Sequence, residues 1–523
     1  MKTQRLFGIL VLGLGLTLAL LAGLHTAQAT PAATDFFVKP NGSGDCSQSD
    51  PCALQTALDK ATKDDSVLYV AGGVYTGTGA AVITLTRSIT LYGGWDGVPF
   101  GPPIVRNPAV HKSILDGEGA RRVVHISGSI APTLDGLTIA NGNATGLNLA
   151  DCSGAEGSPD GCGGGIFVRN AHPIIVNNVI TNNIAAVTTA GSPAGTTGYG
   201  GGIYLRSAPQ AVISGNLVIS NAASTAHSGT GGGIYLSRYG TMSGAQVQSN
   251  RVLSNTATTT DDSAWGGGIS GGPDGVVIQD NSVIGNRANG SGGGQGAGLY
   301  QWYGSATYLN NLVTGNLGSV SGQAAYLGYS GSNFESNRVV DNATSQGIKL
   351  PGTSGDGPTL VNNVVARSGD TTVLLRGAMN YPLTATLIHN TLVGSGSGTG
   401  VYVETGYVTL FMTNTIIAGH MWGVTNTTPA SSTILADHTL FWANTHDGIR
   451  GINPVDGNLT FAADGYHIGS GCSAAIDAGI SAGVTTDIDG EARPYGPGYD
   501  IGADELSTGL ACWRVYLPIV LRN

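Results

Sequence analysis

Charge is scarce in this chain. Asp, Glu, Lys and Arg make up 11% of its 523 residues, lysine occurs six times, and there is no basic cluster. The net charge of −10 spread over this length argues against nucleic acid and against an anionic membrane surface as partners. Cysteine is sparse as well, with six residues and no Cys-x-x-Cys or Cys/His spacing that would hold zinc. After Leu24 no apolar run is long enough to cross a bilayer. The excess lies in glycine: 84 residues with no period of three exclude a collagen helix, and 41% hydrophobic residues exclude a disordered chain.

The N-terminus begins with Lys2 and Arg5, runs apolar from Leu6 to Leu24 and reaches Ala27-Gln28-Ala29, a small-x-small site. Residues 1–29 therefore read as a secretory signal peptide, with an uncleaved anchor as the alternative. Export predicts a secreted or cell-surface protein, with no membrane span once the signal is removed, and makes the cysteines a disulfide set. Proximity in sequence favours Cys46 with Cys52, Cys152 with Cys162, and Cys472 with Cys512.

A four-residue pattern, apolar-x-x-Asn, recurs along the chain. It ends at Asn178, Asn216, Asn250, Asn281, Asn311, Asn337, Asn363, Asn390, Asn414 and Asn444. In several units a second asparagine follows five residues later, at Asn183, Asn221, Asn255, Asn286, Asn316 and Asn342, with an apolar residue such as Val218 or Val252 between the two. Upstream of the pattern stands another strand, introduced by GGGI at 163–166, 200–203, 231–234 and 266–269 and by GAGL at 296–299. Short β-branched strands joined by loops of varying length predict coils in which each strand pairs with its counterpart one coil on, about 4.8 Å away. Equivalent residues then stack, so the asparagine column reads as structural, with amides bonding along it at a turn of left-handed backbone.

These motifs resemble the right-handed parallel β-helix proteins of the pectate-lyase-like superfamily, and GGGI with apolar-x-x-Asn is also similar to the repeats of polymorphic outer-membrane proteins. The resemblance covers roughly residues 35–506 and implies an all-β, right-handed parallel β-helix of about 11–13 coils. The start, DFFVKPNGSGDCSQSDPCALQTALDKATKDDSVLYVAGGVYTG, resembles the usual entry of such domains, where a short amphipathic helix (Ala53, Leu54, Ala57, Leu58, Ala61) plugs the first coil. AIDAGISAGVTTDIDGEARPYGPGYDIGADE resembles the choice-of-anchor segment that ends many bacterial surface β-helices. The expected organisation is a cap over 30–65, the helix over 66–470, a C-terminal cap over 471–506 and a tail over 507–523. No segment resembles the β-barrel of the outer-membrane family, so self-translocation is not expected. The tail WRVYLPIVLRN reads as a strand or cap segment tied down by Cys512, with a sorting or anchoring signal as the alternative.

If the isoleucine of GGGI points inward, the next residue points out, giving the column Phe167, Tyr204, Tyr235, Ser270, Tyr300, Tyr326, Lys349, Leu374 and Tyr402. Two residues further on lie Arg169, Arg206, Trp302, Arg376 and Glu404. The candidate ligand face is Phe167, Tyr204, Arg206, Tyr235, Tyr300, Trp302 and Tyr326, suited to carrying sugar rings of a linear polymer. The bland alternative is that the tyrosines only stack on one another beneath the long loops. The resemblance implies lyase or hydrolase chemistry, but Lys349 is the only lysine in a coil strand and Glu404, next to Arg376, the only carboxylate on the face. No catalytic residue is assigned. The expected function is a monomeric secreted protein binding extracellular polysaccharide or a partner surface, with a lyase or hydrolase, or a structural stalk, as alternatives. Asp261 and Asp262 read as a loop tip. Asp487, Asp489 and Glu491 in DIDGEARP read as a turn, with calcium as the alternative and no other cofactor or metal expected.

Overall fold

A computed structural model describes residues 35–507 apart from 102–103, 148–151, 153–160, 188–195, 261, 291–292, 329–330, 353–356 and 470–471. The signal peptide, Asp261, Cys512 and the tail from 508 onward lie outside the described residues. Every long sheet is parallel and runs along the coil axis: the GGGI strands form one of 13 strands (sheet 1), the strands before the asparagines one of 14 (sheet 2), and those after them another of 13 (sheet 3). The coil count thus falls at the top of the expected range.

Most coil strands are only three residues long, and in sheet 3 the central residue alone points inward. Ile180, Val218, Val252, Val283 and Val313 are paired in register and fully buried. Such strands are too short to be stable singly, so the stack is held by burial of these columns together with coil-to-coil backbone bonds. At the N-terminal end the helix Leu54–Lys60 buries Leu54 and Ala57 against the first coil, as the entry motif predicted.

Between sheets 2 and 3 the asparagines form a continuous ladder. Each side-chain Oδ1 accepts both the backbone N–H and the Nδ2 of the asparagine one coil earlier, from Asn178 through Asn216, Asn250, Asn281, Asn311, Asn337 and Asn363 to Asn390. A second ladder of the same kind runs from Asn183 to Asn342 at the turn after sheet 3.

Two of the expected members do not belong to the first ladder. Ile416 pairs with Thr391, so Thr415 stands opposite Asn390, and Asn414 falls on the preceding position. That preceding position, not the asparagine of the ladder, carries the left-handed backbone: Asn177, Ser249, Asp280, Asn310, His389 and Asn414 all have φ between 49° and 56°. Asn414 instead donates to His389 Nε2 and to the carbonyl of Ile480. Asn444 belongs to the second turn, where it accepts the backbone N–H of His420 and donates to Ile417 O.

The C-terminal segment does more than close an end. Residues 459–469 and 472–506 fold back along the outside of sheet 3, because its late strands carry apolar residues outward as well as inward. Ile416, Ala418 and Leu440 pack on Leu459, Ile468 and Ile501, and Val340, Val364 and Ala366 on Ile488 and Ala503. Thr391 Oγ1 accepts the backbone N–H of Ala503, and Asn362 donates to Thr486 O. The expected cap is therefore a flank cover. Within it Arg493 and Glu505 form a buried pair at 2.7 Å.

Candidate ligand cleft

Between sheet 3 and sheet 1 successive coils carry an arm, built from two short parallel sheets of five strands each. The arm is thin: Ala257, Ala264, Ala288 and Ala297 pack between its layers. The GGG run is the tight return from arm to coil. Gly231 sits at φ 68°, a Cβ on Gly232 would come 2.4 Å from Thr256 O, and one on Gly233 would come 2.8 Å from Gly268 O. In this run a side chain at any of the three positions is therefore disfavoured, whereas the run at 296–298 carries Ala297 at its middle position.

The residue just before each glycine run faces sheet 1. These residues form the register column Cys162, Tyr199, Thr230, Trp265 and Gln295. Opposite runs the outward column of sheet 1, with Phe167, Tyr204, Tyr235, Ser270, Tyr300, Tyr326 and Lys349 in the expected register.

The open face expected from the sequence is not present at the N-terminal end. Phe167 and Tyr204 stack with planes 5° apart at 5.3 Å and are 1% and 0% exposed. They lie beneath the Cys152–Cys162 disulfide, and the Tyr204 hydroxyl donates to Cys152 O. Burial pushes the Tyr204 phenol up to about 12. Arg122 lies 4.6 Å from the Phe167 ring centre and donates to the carbonyls of Cys162 and Gly163, while burial and the nearby Arg122 and Arg169 hold His125 down to about 4. This end is an aromatic plug. The Cys46–Cys52 bond is formed as well.

Tyr326 is also buried, against Tyr300 at 5.1 Å and Trp302 at 5.8 Å, both from the coil before it. The faces of Tyr204 are occupied by the rings of Phe167 and Tyr235. A linear polymer running along the coil axis would therefore meet ring edges rather than faces.

Space remains where the aromatic column is broken. Ser270 takes the place of a ring between Tyr235 and Tyr300, and there a cleft of about 540 Å³ opens, lined by Trp265 from the arm and by Trp302 from the coil. Tyr239, Tyr303 and Arg238 form its mouth, the guanidinium lying 4.8 Å and 4.9 Å from the two ring centres. A second hollow of about 330 Å³ adjoins it, sharing Arg238, Pro273 and Tyr303. The Ser270 hydroxyl and Gln295 Oε1 are buried polar atoms without a hydrogen-bond partner, and both residues line the cleft. No carboxylate lines it among the described residues. The arrangement offers aromatic faces, one cation and two polar atoms awaiting partners, which is a binding chemistry.

Arg206 lies 5.7 Å from the Tyr239 ring, at the margin of the cleft. Tyr199, Trp265, Gln295, Arg238, Tyr239 and Tyr303 were not singled out in the sequence, although their signal was present for the arm column, in the residue before each GGG. Elsewhere, Arg376 meets Glu404 at 3.6 Å, with Thr405 rather than Glu404 in register opposite Arg376 because the strand bulges. Burial lowers the Lys349 amine. Asp262 pairs with His227 at 3.1 Å. In DIDGEARP, Asp487 accepts the backbone N–H groups of Asp489, Glu491 and Glu505, which accounts for its burial as a turn.

A family model described as right handed beta helix region matches residues 122–317. No curated protein matches the chain. Among solved structures, pectate lyase Pel9A is 12% identical with a TM-score of 0.38, the alignment covering 92% of this chain and 98% of that one. The A-module of Azotobacter vinelandii mannuronan C-5 epimerase AlgE4 is 13% identical with a TM-score of 0.35, covering 77% and 94%. The stacked parallel sheets and the matched region together make this chain a right-handed parallel β-helix.

Proposed function

We propose that this protein is an exported glycan-binding β-helix whose binding site is the cleft above Ser270. The observation that carries the reading is the break in the aromatic column: Tyr235, Tyr300, Trp265 and Trp302 bound a space whose buried polar atoms, Ser270 Oγ and Gln295 Oε1, lack partners. Aromatic faces beside hydroxyl-seeking groups suit a sugar, which presents C–H faces and a polar edge. Export is supported by the N-terminal pattern and by the two disulfides.

The test is a screen of purified protein on a glycan array of neutral and uronate-containing polysaccharides. Parallel assays follow new reducing ends and the ultraviolet absorbance of unsaturated products. Retention without turnover is the expected result. Turnover would replace binding by lyase or hydrolase activity, and no retention would leave a structural stalk.

A further inference from the structure

The charges around the cleft say which class of glycan it takes. Resting on the binding role proposed above, we infer that the cleft selects a glycan carrying an anionic group, a carboxylate or a sulfate, and that Arg238 is the residue that recognises it.

Arg238 follows the sheet 1 strand Ile234–Leu236, which carries Tyr235, so its backbone is held close to the aromatic column. Its guanidinium lies 4.8 Å from the Tyr239 ring centre and 4.9 Å from that of Tyr303, and one of its N–H groups donates to the Tyr239 hydroxyl at 2.7 Å. No carboxylate pairs with it among the described residues, and its other N–H groups have no protein acceptor there. A cation with free donors that is already held by two rings loses little freedom when it takes up an anion. Arg206, 5.7 Å from the same Tyr239 ring, brings a second positive charge to the cleft margin.

The surroundings decide on which side of Arg238 the anion sits. Arg238 lines both the cleft and the smaller hollow beside it. The hollow contains Asp274, whose Oδ1 accepts the backbone N–H and the hydroxyl of Ser305 and whose charge repels an anion. The cleft has no carboxylate among its described lining residues, so the anion belongs on that side. The unpartnered Ser270 hydroxyl and Gln295 Oε1 are then left for uncharged hydroxyls of the same glycan. At a net charge of −10 the protein as a whole repels polyanions, so the attraction has to be local to this mouth.

The experiment measures retention of polysaccharide pairs that differ only in the anionic group: a polyuronate against its carboxyl-reduced form, and a sulfated galactan against its desulfated form. The natural protein is expected to retain an acidic member at least about fivefold better than its neutral counterpart, and to lose that preference as sodium chloride rises from about 0.05 M to about 0.5 M. Preference for the polyuronate assigns a carboxylate, and preference for the sulfated galactan assigns a sulfate. R238Q should bring the ratio of acidic to neutral retention to about one with little change in melting temperature, since the side chain is exposed. R238K keeps the charge without the planar fork and should fall between the two. Equal retention of acidic and neutral members by the natural protein, or an unchanged preference in R238Q, would overturn the inference while leaving glycan binding in place. No retention of any glycan by the natural protein would overturn both. The paired comparison uses the natural protein alone, so the inference is tested even if a variant does not fold.

Discussion

Asn216 is bound twice to Asn250: its Nδ2 and its backbone N–H both donate to the Asn250 Oδ1, each at 3.0 Å. Asn250 passes the same pair of bonds to Asn281 and donates to Ile213 O as well. Each amide thus satisfies buried groups on the coils before and after it.

Replacing Asn250 by Ala leaves these donors and acceptors unmatched in a closed turn. At about 1–3 kcal/mol for each uncompensated buried group, the expected cost is on the order of 3 kcal/mol or more. Thermal unfolding of Asn250→Ala against Asn250→Asp checks it. Asp keeps the acceptor but buries a charge without the Nδ2 donor, so it should not restore stability.

The flank cover hinges on Arg493. Its guanidinium donates to Glu505, Asp500 O and Gly502 O, with side-chain exposures of 0% for Arg493 and 2% for Glu505. Arg493→Ala strands a buried carboxylate, which costs about 3–5 kcal/mol. The expected outcome is faster hydrogen exchange and proteolysis across 459–506, with the coil strands before Asn311 unchanged.

Acid should act through buried histidines. Burial holds His420 down to about 4 from 6.5, and its Nε2 lies 2.8 Å from Thr372 Oγ1. Between those values the unfolded chain binds the proton and the folded one does not, so the stability that the neutral imidazole contributes is full above 6.5 and is lost as pH falls toward 4. His389, held to about 3, acts in the same direction. Asp500 and Asp504, pushed up to about 6 by burial, act in the opposite one, since their protonation below that value favours the fold. The His420 imidazole signal should therefore stay neutral at about pH 5 in a nuclear magnetic resonance titration, and His420→Gln should flatten the stability slope between about pH 4 and 6.5.

Coil architecture and strand register were legible because each three-residue strand repeats its inward residue, and the column from Phe167 to Lys349 could be read directly from GGGI. The errors came where one pattern served two turns. In FMTN the asparagine fills the left-handed position and Thr415 the ladder, and in FWAN the asparagine belongs to the second turn, distinctions that need the pairing of Ile416 with Thr391. The cleft was legible only in half. Tyr235, Tyr300 and Trp302 lie on coil strands, but the arm that brings Trp265 opposite them has its position fixed by alanine and glycine contacts between distant coils. Whether a ring is open or covered depends on what stacks on its faces, and strand periodicity does not carry that information.

The central claim is that the broken aromatic column binds sugar, and a Trp265→Ala, Tyr300→Ala double variant tests it most directly. On the glycans that the natural protein retains, each lost ring should cost about 0.5–1.5 kcal/mol, so binding should weaken by roughly tenfold or more while the far-ultraviolet circular dichroism is unchanged. Unchanged retention by the double variant would contradict the account, and would place any glycan site elsewhere on the β-helix.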